Sequence, residues 1–596
     1  MNKKIKKFMN KRECDILKYL DENSFVNQRT VAEKTGCAVG MVNQTLKLLE
    51  DCDLINADKT LTEKGRETVR RTSPKRAIIL AAGFGMRMVP INMSVPKALL
   101  EVRGETIIER IIKQLHEAGI TEIYVVAGFM MERFEYLIDE YGVEIIVNSE
   151  YALKNNLHSL YLARDYLENA YVIPCNVWTD FNPYSKNEMY SWYMIDDKLG
   201  THGYFWVNRK QEVMKLPDIV PGFHKIGISY IGPDEAPLVR ERLEKYDSYP
   251  SYDTRSWDEI LFEQKSVTVY ARKISNDDFA VINTYEQLRE LDSGSNHLKT
   301  EAITIAAETL DASPSEITDI EILKKGMTNR SFLFSCRDKR YIMRIPGEGT
   351  DQLVNRREEA AVYRVLKGKG ICDNIIYINP DNGYKITEYI ENSHASNPMN
   401  VLDVHDCMKR LREFHNLRLK VDHTFEIFGK INFYESLWDG KPSVYRDYSQ
   451  TKENVFSLKP YIDEHAKAYA LTHVDAVPDN FLFSNENLKK QIHIIDWEYA
   501  GMQDQDVDLA MFCIYAMYDR KHVDKLIDAY YTEGCLEETR VKIYCYIACC
   551  GLLWSNWCEY KRNLGVDFGE YALRQYRYAK EYYRIVMNYL EEGEIK

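Results

Sequence analysis

No apolar run in this chain approaches the roughly 20 residues that a membrane-spanning helix requires, so the sequence offers no candidate for one. The opening stretch, Met1 to Asn10, is basic, but no apolar core follows it, which argues against a secretory signal. Metal-ligand cysteine spacing is also missing. The 13 cysteines are scattered, with Cys14, Cys37, Cys52 and Cys175 isolated and Cys549 next to Cys550. An odd, unpatterned set fits reduced thiols that act as small hydrophobes, and a cytoplasmic location is expected. Positive charge is not in excess: the net charge of -13 favours solubility and excludes a chain-wide nucleic-acid coat. There is no internal repeat and no low-complexity tract. What remains is 45% hydrophobic and 28% charged, the composition of a globular protein. At 596 residues the chain has room for three or four domains.

Three segments are expected, over residues 1–73, 74–293 and 297–596. The first carries helical periodicity over Arg12 to Leu20, Thr30 to Gly36 and Val39 to Leu49. Leu54 to Leu61 then suggests two short strands around a turn. This order is similar to a winged helix-turn-helix. The second segment alternates strands (Ala77 to Leu80, Ile123 to Ala127, Val143 to Val147) with helices (Ile107 to Leu115, Met131 to Tyr141). That alternation predicts a largely parallel, Rossmann-like α/β sheet. Ser293-Gly-Ser-Asn296 is the expected linker, being small and polar. The third segment opens with strands (Phe332 to Phe334, Tyr341 to Ile345). Long helical stretches follow from Val401 to Leu417 and from Val541 onward, an α+β kinase-like pattern.

The second segment begins with Leu80-Ala81-Ala82-Gly83-Phe84-Gly85-Met86-Arg87, and Pro96-Lys97 follows. A buried strand running into Gly-x-Gly brings backbone N–H groups to a phosphate, and Gly83 and Gly85 permit close approach. Arg87 and Lys97 would neutralise the charge of a departing pyrophosphate. With Val125 to Phe129, Asn148 to Leu160, Gly227 to Tyr230 and Trp257-Asp258, the segment resembles bacterial CTP:phosphocholine cytidylyltransferases. The resemblance implies a nucleotide site at Leu80, Ala82, Gly83, Gly85 and Gly128, with Ala82 and Gly128 flanking the base. It also implies an acceptor pocket that includes Asn156, Ser159 and Tyr230, and Mg²⁺ held between two carboxylates. Asp258 matches one metal position, but Asn176 stands where the family carries the other Asp. Three readings stay open: an altered but active enzyme, replacement by Asp180, or nucleotide binding without efficient turnover.

The third segment contains His473-x-Asp475-x-x-x-x-Asn480, then Asp496 after an apolar strand. This spacing suits phosphoryl transfer, with Asp475 orienting a hydroxyl and Asn480 and Asp496 supplying oxygens to Mg²⁺. The segment resembles choline and ethanolamine kinases of the aminoglycoside-phosphotransferase-like group. The resemblance places Thr328 and Asn329 in a nucleotide loop. It puts Arg344 in the place of a phosphate-binding lysine, oriented by Glu359 or by its neighbour Glu358. Trp554, Trp557 and Tyr571 match positions that enclose choline, with Glu498 as a carboxylate for the quaternary ammonium. Ethanolamine stays open.

Taken together, these readings predict a bifunctional enzyme. ATP would phosphorylate choline, and CTP would then condense with phosphocholine to yield CDP-choline and pyrophosphate. The alternatives are a choline-responsive regulator that binds DNA through the first segment, or an amino-alcohol kinase with a weakened transferase. The expected recognition helix, Val39 to Leu49, carries Asn43, Gln44 and one basic residue, Lys47, where DNA binding needs several phosphate contacts. A dimerisation module, and with it a homo-oligomer, is the other reading of this segment.

Overall fold

The computed structural model describes residues 9–91, 95–262, 267–323, 329–347, 353–486, 489–566 and 568–592. Backbone contacts divide the chain into two compact units, 1–304 with 320–322 and 305–319 with 323–596.

In the first unit, helices Lys11–Glu22, Gln28–Thr35 and Val39–Asp51 pack on one small core. Asn10 starts the first helix with a capping box to Glu13, and Gly36, at φ +66°, ends the second in the left-handed region. In place of two wing strands, one bridge joins Ile55 to Leu61. A further helix follows, Glu63–Thr72, with Gly65 set against the Leu54 carbonyl. This helical module docks on the rest of the unit. Met189 enters its core, the Tyr190 hydroxyl donates to Asp15 at 2.7 Å, and the Asn187 amide donates to Asp21 at 3.0 Å.

The main sheet has seven strands in the order Tyr270–Ile274, Trp192–Asp196, Lys225–Ile231, Ala170–Pro174, Arg76–Leu80, Glu122–Ala127, Glu144–Val147. Arg76–Leu80 is parallel to both neighbours and buried along almost its whole length, which is why it reads as an unbroken apolar run. The sheet is mixed rather than wholly parallel, because Lys225–Ile231 runs antiparallel to the strands on either side. Helix Ile107–Glu117, capped by Thr106, buries Ile107, Ile108, Ile111, Ile112 and Leu115 at helical spacing. From Arg76–Leu80 the chain adds Glu122–Ala127 and Glu144–Val147 on one side and then crosses to add Ala170–Pro174 on the other, so the strand order reverses between Arg76–Leu80 and Ala170–Pro174. The carboxyl ends of these two strands therefore form the crevice where open α/β sheets bind ligands.

In the second unit, strands Asn329–Cys336, Lys339–Pro346, Lys385–Glu388 and Ile375–Ile378 form an antiparallel run beside helix Arg356–Leu366. A helical body follows, built round Val401–Asn416, Asp506–Tyr515, Glu537–Asn563 and Glu570–Glu592.

Candidate active sites

At the crevice of the first unit, the loop after Leu80 meets the end of Ala170–Pro174, where Cys175 N–H donates to the Leu80 carbonyl at 3.4 Å. A side chain at Gly83 would meet nothing within 4 Å, so internal packing does not call for the glycine and the backbone face stays open. Gly85 needs its left-handed φ of +63° and lies against Lys97, whose Cβ would stand 3.3 Å from an added methyl. Gly128 leaves no room for a side chain, with Ala82 and Asn148 carbonyls 2.9 Å from a built Cβ. Arg87 is exposed and Lys97 half-buried. The Lys97 ammonium donates to Asn283 Oδ1 at 2.8 Å, and Asn176 Nδ2 donates to the same oxygen at 2.9 Å. Burial, with Arg87 nearby, pushes Lys97 down to about 8, against an opposing pull from the Cys175 thiol.

Several expected residues take other places. Tyr230 is wholly buried, and its hydroxyl bonds the Thr72 carbonyl and Asn169. It anchors the N-terminal module and lines no acceptor pocket. Asn156 Oδ1 accepts from the Trp257 backbone at 2.9 Å, and Ser159 Oγ accepts from Asn148 at 3.0 Å. Both hold the 148–160 segment in place. Asp258 is buried and committed to Tyr193 (3.0 Å), Lys225 (3.3 Å) and Ser256. Among the described residues no hydrogen bond or ion pair joins Asp258 to Asn176. Asp180, the other expected replacement, pairs with Arg103 at 2.9 Å. A carboxylate pair poised for Mg²⁺ is therefore not assembled, and these residues do not fit the ion. Asn283 carries no signal in the sequence beyond that of a residue just ahead of a helix cap.

At the second site the expected residues converge. Asn480 Nδ2 donates to the Asp475 carbonyl at 2.9 Å and to its carboxylate at 3.2 Å, which turns the Asn480 carbonyl oxygen outward. Burial, then the facing charges of Asp496 and Glu498, push Asp475 up to about 8. Two facing carboxylates, Asp475 and Asp496, with an amide oxygen beside them, suit a hard divalent cation that keeps its other positions for water and phosphate. The backbone is over-determined here. Val474 and Asp496 both lie in the left-handed region, at φ +68° and +64°. Asp508, unforeseen from the sequence, accepts from the His473 and Val474 amides at 3.0 and 2.6 Å and from His415 at 2.9 Å. His473 Nε2 lies 2.9 Å from the Ile495 carbonyl and so carries the proton, tying the Asp475 loop to the Asp496 strand.

Arg344 and Glu359 form a buried bidentate pair at 2.5 and 2.8 Å, and Arg344 also reaches the Gly383 carbonyl at 3.0 Å. Glu358 is only half-buried, whereas Glu359 is buried against Arg344, so the helix face selects Glu359. Glu498 departs from its expected place. It pairs with Arg356 at 3.3 Å and lies 3.8 Å from Arg344, so its charge is balanced by guanidinium groups before any ammonium arrives. Thr328 lies outside the described residues, as does the side chain of Asn329. The aromatic residues form a row: Tyr499–Trp554, Trp554–Trp557, Trp557–Phe568 and Phe568–Tyr571 have ring centroids 5.9, 5.4, 5.1 and 6.5 Å apart. Trp557 itself is a core residue, 2% exposed, while Trp554 and Tyr571 keep partial exposure. The negative charge of Asp475 reaches Tyr434, Tyr499, Tyr515 and Tyr571, raising each phenol after burial has done so.

Fold and sites thus define a nucleotidyltransferase-like α/β unit joined to a kinase-type phosphotransferase unit. Residues 77–177 match the MobA-like NTP transferase domain, and residues 320–533 match choline/ethanolamine kinase. The choline-phosphate cytidylyltransferase of Streptococcus pneumoniae is 30% identical over 226 residues, 36% of this chain and 96% of that protein. Protein LicA of Haemophilus influenzae is 27% identical over 263 residues, 42% of this chain and 96% of that protein. The crystal structure of choline kinase LicA from Streptococcus pneumoniae is 27% identical, covering 48% of this chain and 99% of that one at a TM-score of 0.42. The chain belongs to the choline-phosphate cytidylyltransferase family and carries, fused behind that part, a choline/ethanolamine kinase domain.

Proposed function

We propose that the chain makes CDP-choline in two consecutive steps. In the first, the choline hydroxyl oxygen attacks the γ-phosphorus of ATP, the bond to ADP breaks, and Asp475 orients the hydroxyl and receives its proton. Asn480 and Asp496 would hold Mg²⁺, which supplies charge neutralisation to the phosphates when bound. Arg344, whose donor fork is held by Glu359, brings its fixed positive charge to the same phosphates. The quaternary ammonium lies against the Trp554 and Tyr571 faces, which attract a cation that has no N–H to donate. In the second step, a phosphocholine oxygen attacks the α-phosphorus of CTP and pyrophosphate departs. Gly83 and Gly85 present backbone N–H groups there, and Lys97 and Arg87 face the departing charge.

The observation that carries this reading is the convergence of Asp475, Asn480 and the Asp496 charge beside an aromatic row, on the same chain as the Gly83–Lys97 loop. We assign the three expected segments, 1–73, 74–293 and 297–596, to a winged-helix module, the transferase and the kinase. The module's Lys11–Glu22 side is read as its docking face on the transferase.

The test supplies choline, ATP, CTP and Mg²⁺ and follows phosphocholine and CDP-choline separately. Asp475→Asn should lower phosphocholine formation by roughly 10² to 10⁴-fold. CDP-choline formation from added phosphocholine should continue unchanged. Loss of both activities in that variant would break the assignment of two independent sites.

A further inference from the structure

The transferase site has a lysine held by two amides that the metal expectation does not explain. Three side chains from distant parts of the chain meet at one oxygen. Lys97 lies on a short helical turn, Lys97–Leu99. Asn176 follows the strand Ala170–Pro174. Asn283 stands just ahead of Thr284, the cap of helix Tyr285–Leu291, and its own N–H is held by Gln287 Oε1 at 2.7 Å. Strand Phe279–Val281 pairs with Val177–Thr179, and Ile282 N–H bonds the Asn176 carbonyl at 2.8 Å, so the two asparagines are fixed side by side.

The hydrogen-bond sense is forced. An ammonium has only donors, so Asn283 must present its oxygen to Lys97. Asn176 must then present its NH₂ to that same oxygen, which leaves its own carbonyl oxygen facing away from Asn283. Both amides are neutral, and among the described residues no carboxylate forms an ion pair with Lys97. Asp258, the carboxylate expected to complete a metal site, is taken by Lys225, Tyr193 and Ser256. A half-buried cation with no carboxylate partner among the described residues, at the mouth of a glycine loop, is a receptor for an anion.

We infer that the transferase site receives its nucleoside triphosphate on a built-in ammonium, Lys97 held by the Asn283–Asn176 amide pair, in place of a divalent cation held by carboxylates. The inference rests on the reading of this unit as a nucleotidyltransferase. It makes Asn283 a positioning residue, acting through Lys97. A carboxylate at 176 or 283 would give Lys97 a permanent partner and compete with the triphosphate for it. The two neutral amides hold the lysine in place and leave its charge unspent.

The test uses the full chain and a local readout. CTP is titrated in EDTA and again in Mg²⁺, and amide hydrogen exchange is followed in the segments around residues 80–88 and 282–287. Nucleotide bound elsewhere on the chain does not enter this signal. The expected result is protection in EDTA with a midpoint within about threefold of that in Mg²⁺. Lys97→Met and Asn283→Ala should each raise the midpoint by about tenfold or more, the scale of losing or misplacing one charge-assisted contact. Asn283→Gln should recover part of the Asn283→Ala loss, since it restores an acceptor. Protection that requires Mg²⁺ overturns the inference and leaves the transferase reading standing. No protection by CTP in either condition overturns both. Should Asn283→Ala alter exchange throughout the unit without ligand, Lys97→Met alone decides the matter, because its buried neighbours are left in place.

Discussion

Lys97 carries its charge where burial opposes it. Desolvation and Arg87 bring it down to about 8 from an ordinary value of 10.5. A lysine with a depressed folded value is protonated below about 8 and neutral above it. Between 8 and 10.5 the unfolded chain keeps a proton that the folded chain has lost, so this group makes stability rise with pH across that window. Its effect on catalysis has the opposite sign, because the ammonium that meets the triphosphate disappears. The ratio kcat/KM for CTP should therefore fall by up to about tenfold per pH unit above about 8. The limb in kcat should lie at higher pH, since bound triphosphate holds the proton. A profile of both constants with phosphocholine saturating checks this, and a flat profile in the wild-type chain would remove Lys97 from the site. At this scale the sequence was informative where chemistry is local: Asn480, five positions after Asp475, donates to its carboxylate, and the Asp496 charge acts on the same group. It was uninformative where a partner comes from afar. Nothing near Glu498 announces Arg356, and nothing near Asn283 announces Lys97.

Element by element, helices were legible from period and caps, and their breaks less so. The helical stretch from Val541 onward is two antiparallel helices, Glu537–Asn563 and Glu570–Glu592, with Gly565 and Gly569 in the left-handed region between them. The first is buried on nearly every face, so it shows no amphipathic stripe to mark its limits. At Gly551 the two helices approach closely. An added methyl there would stand 2.7 Å from the Gln575 carbonyl and 2.8 Å from Tyr578 Cβ. Gly551→Ala should cost about 1–3 kcal/mol of the kinase unit's stability through overpacking. A lower midpoint in thermal unfolding, with the first unit's transition unmoved, is the expected reading. An unchanged midpoint would mean that the helices can separate at no cost. Strands fared differently. In place of the expected hairpin there is a single bridge between Ile55 and Leu61, and both residues are buried in the helical core.

For the whole first unit, the N-terminal module is an integral part of the transferase surface. Met189, Tyr190 and Asn187 reach into it, and Tyr230 holds its last helix from the central sheet. Tyr190→Phe removes one hydrogen bond, worth about 1 kcal/mol, and Met189→Ala adds a cavity worth about 2 kcal/mol or more. The double variant should speed hydrogen exchange across Lys11–Glu22 while Arg76–Leu80 keeps its protection. Equal exchange in variant and parent would show that the module is held by other contacts. By itself the amino-acid order settled the two chemistries and their order along the chain, because a glycine loop and an Asp-x₄-Asn loop are built from neighbours a few residues apart. Only the tertiary structure decided which charges are balanced. Asn176 meets Asn283 across 107 positions, Val474 meets Asp508 across 34, and Arg356 meets Glu498 across 142. Electrostatic balance in a buried site depends on distance through space, and folding brings together residues whose separation along the chain says nothing of it.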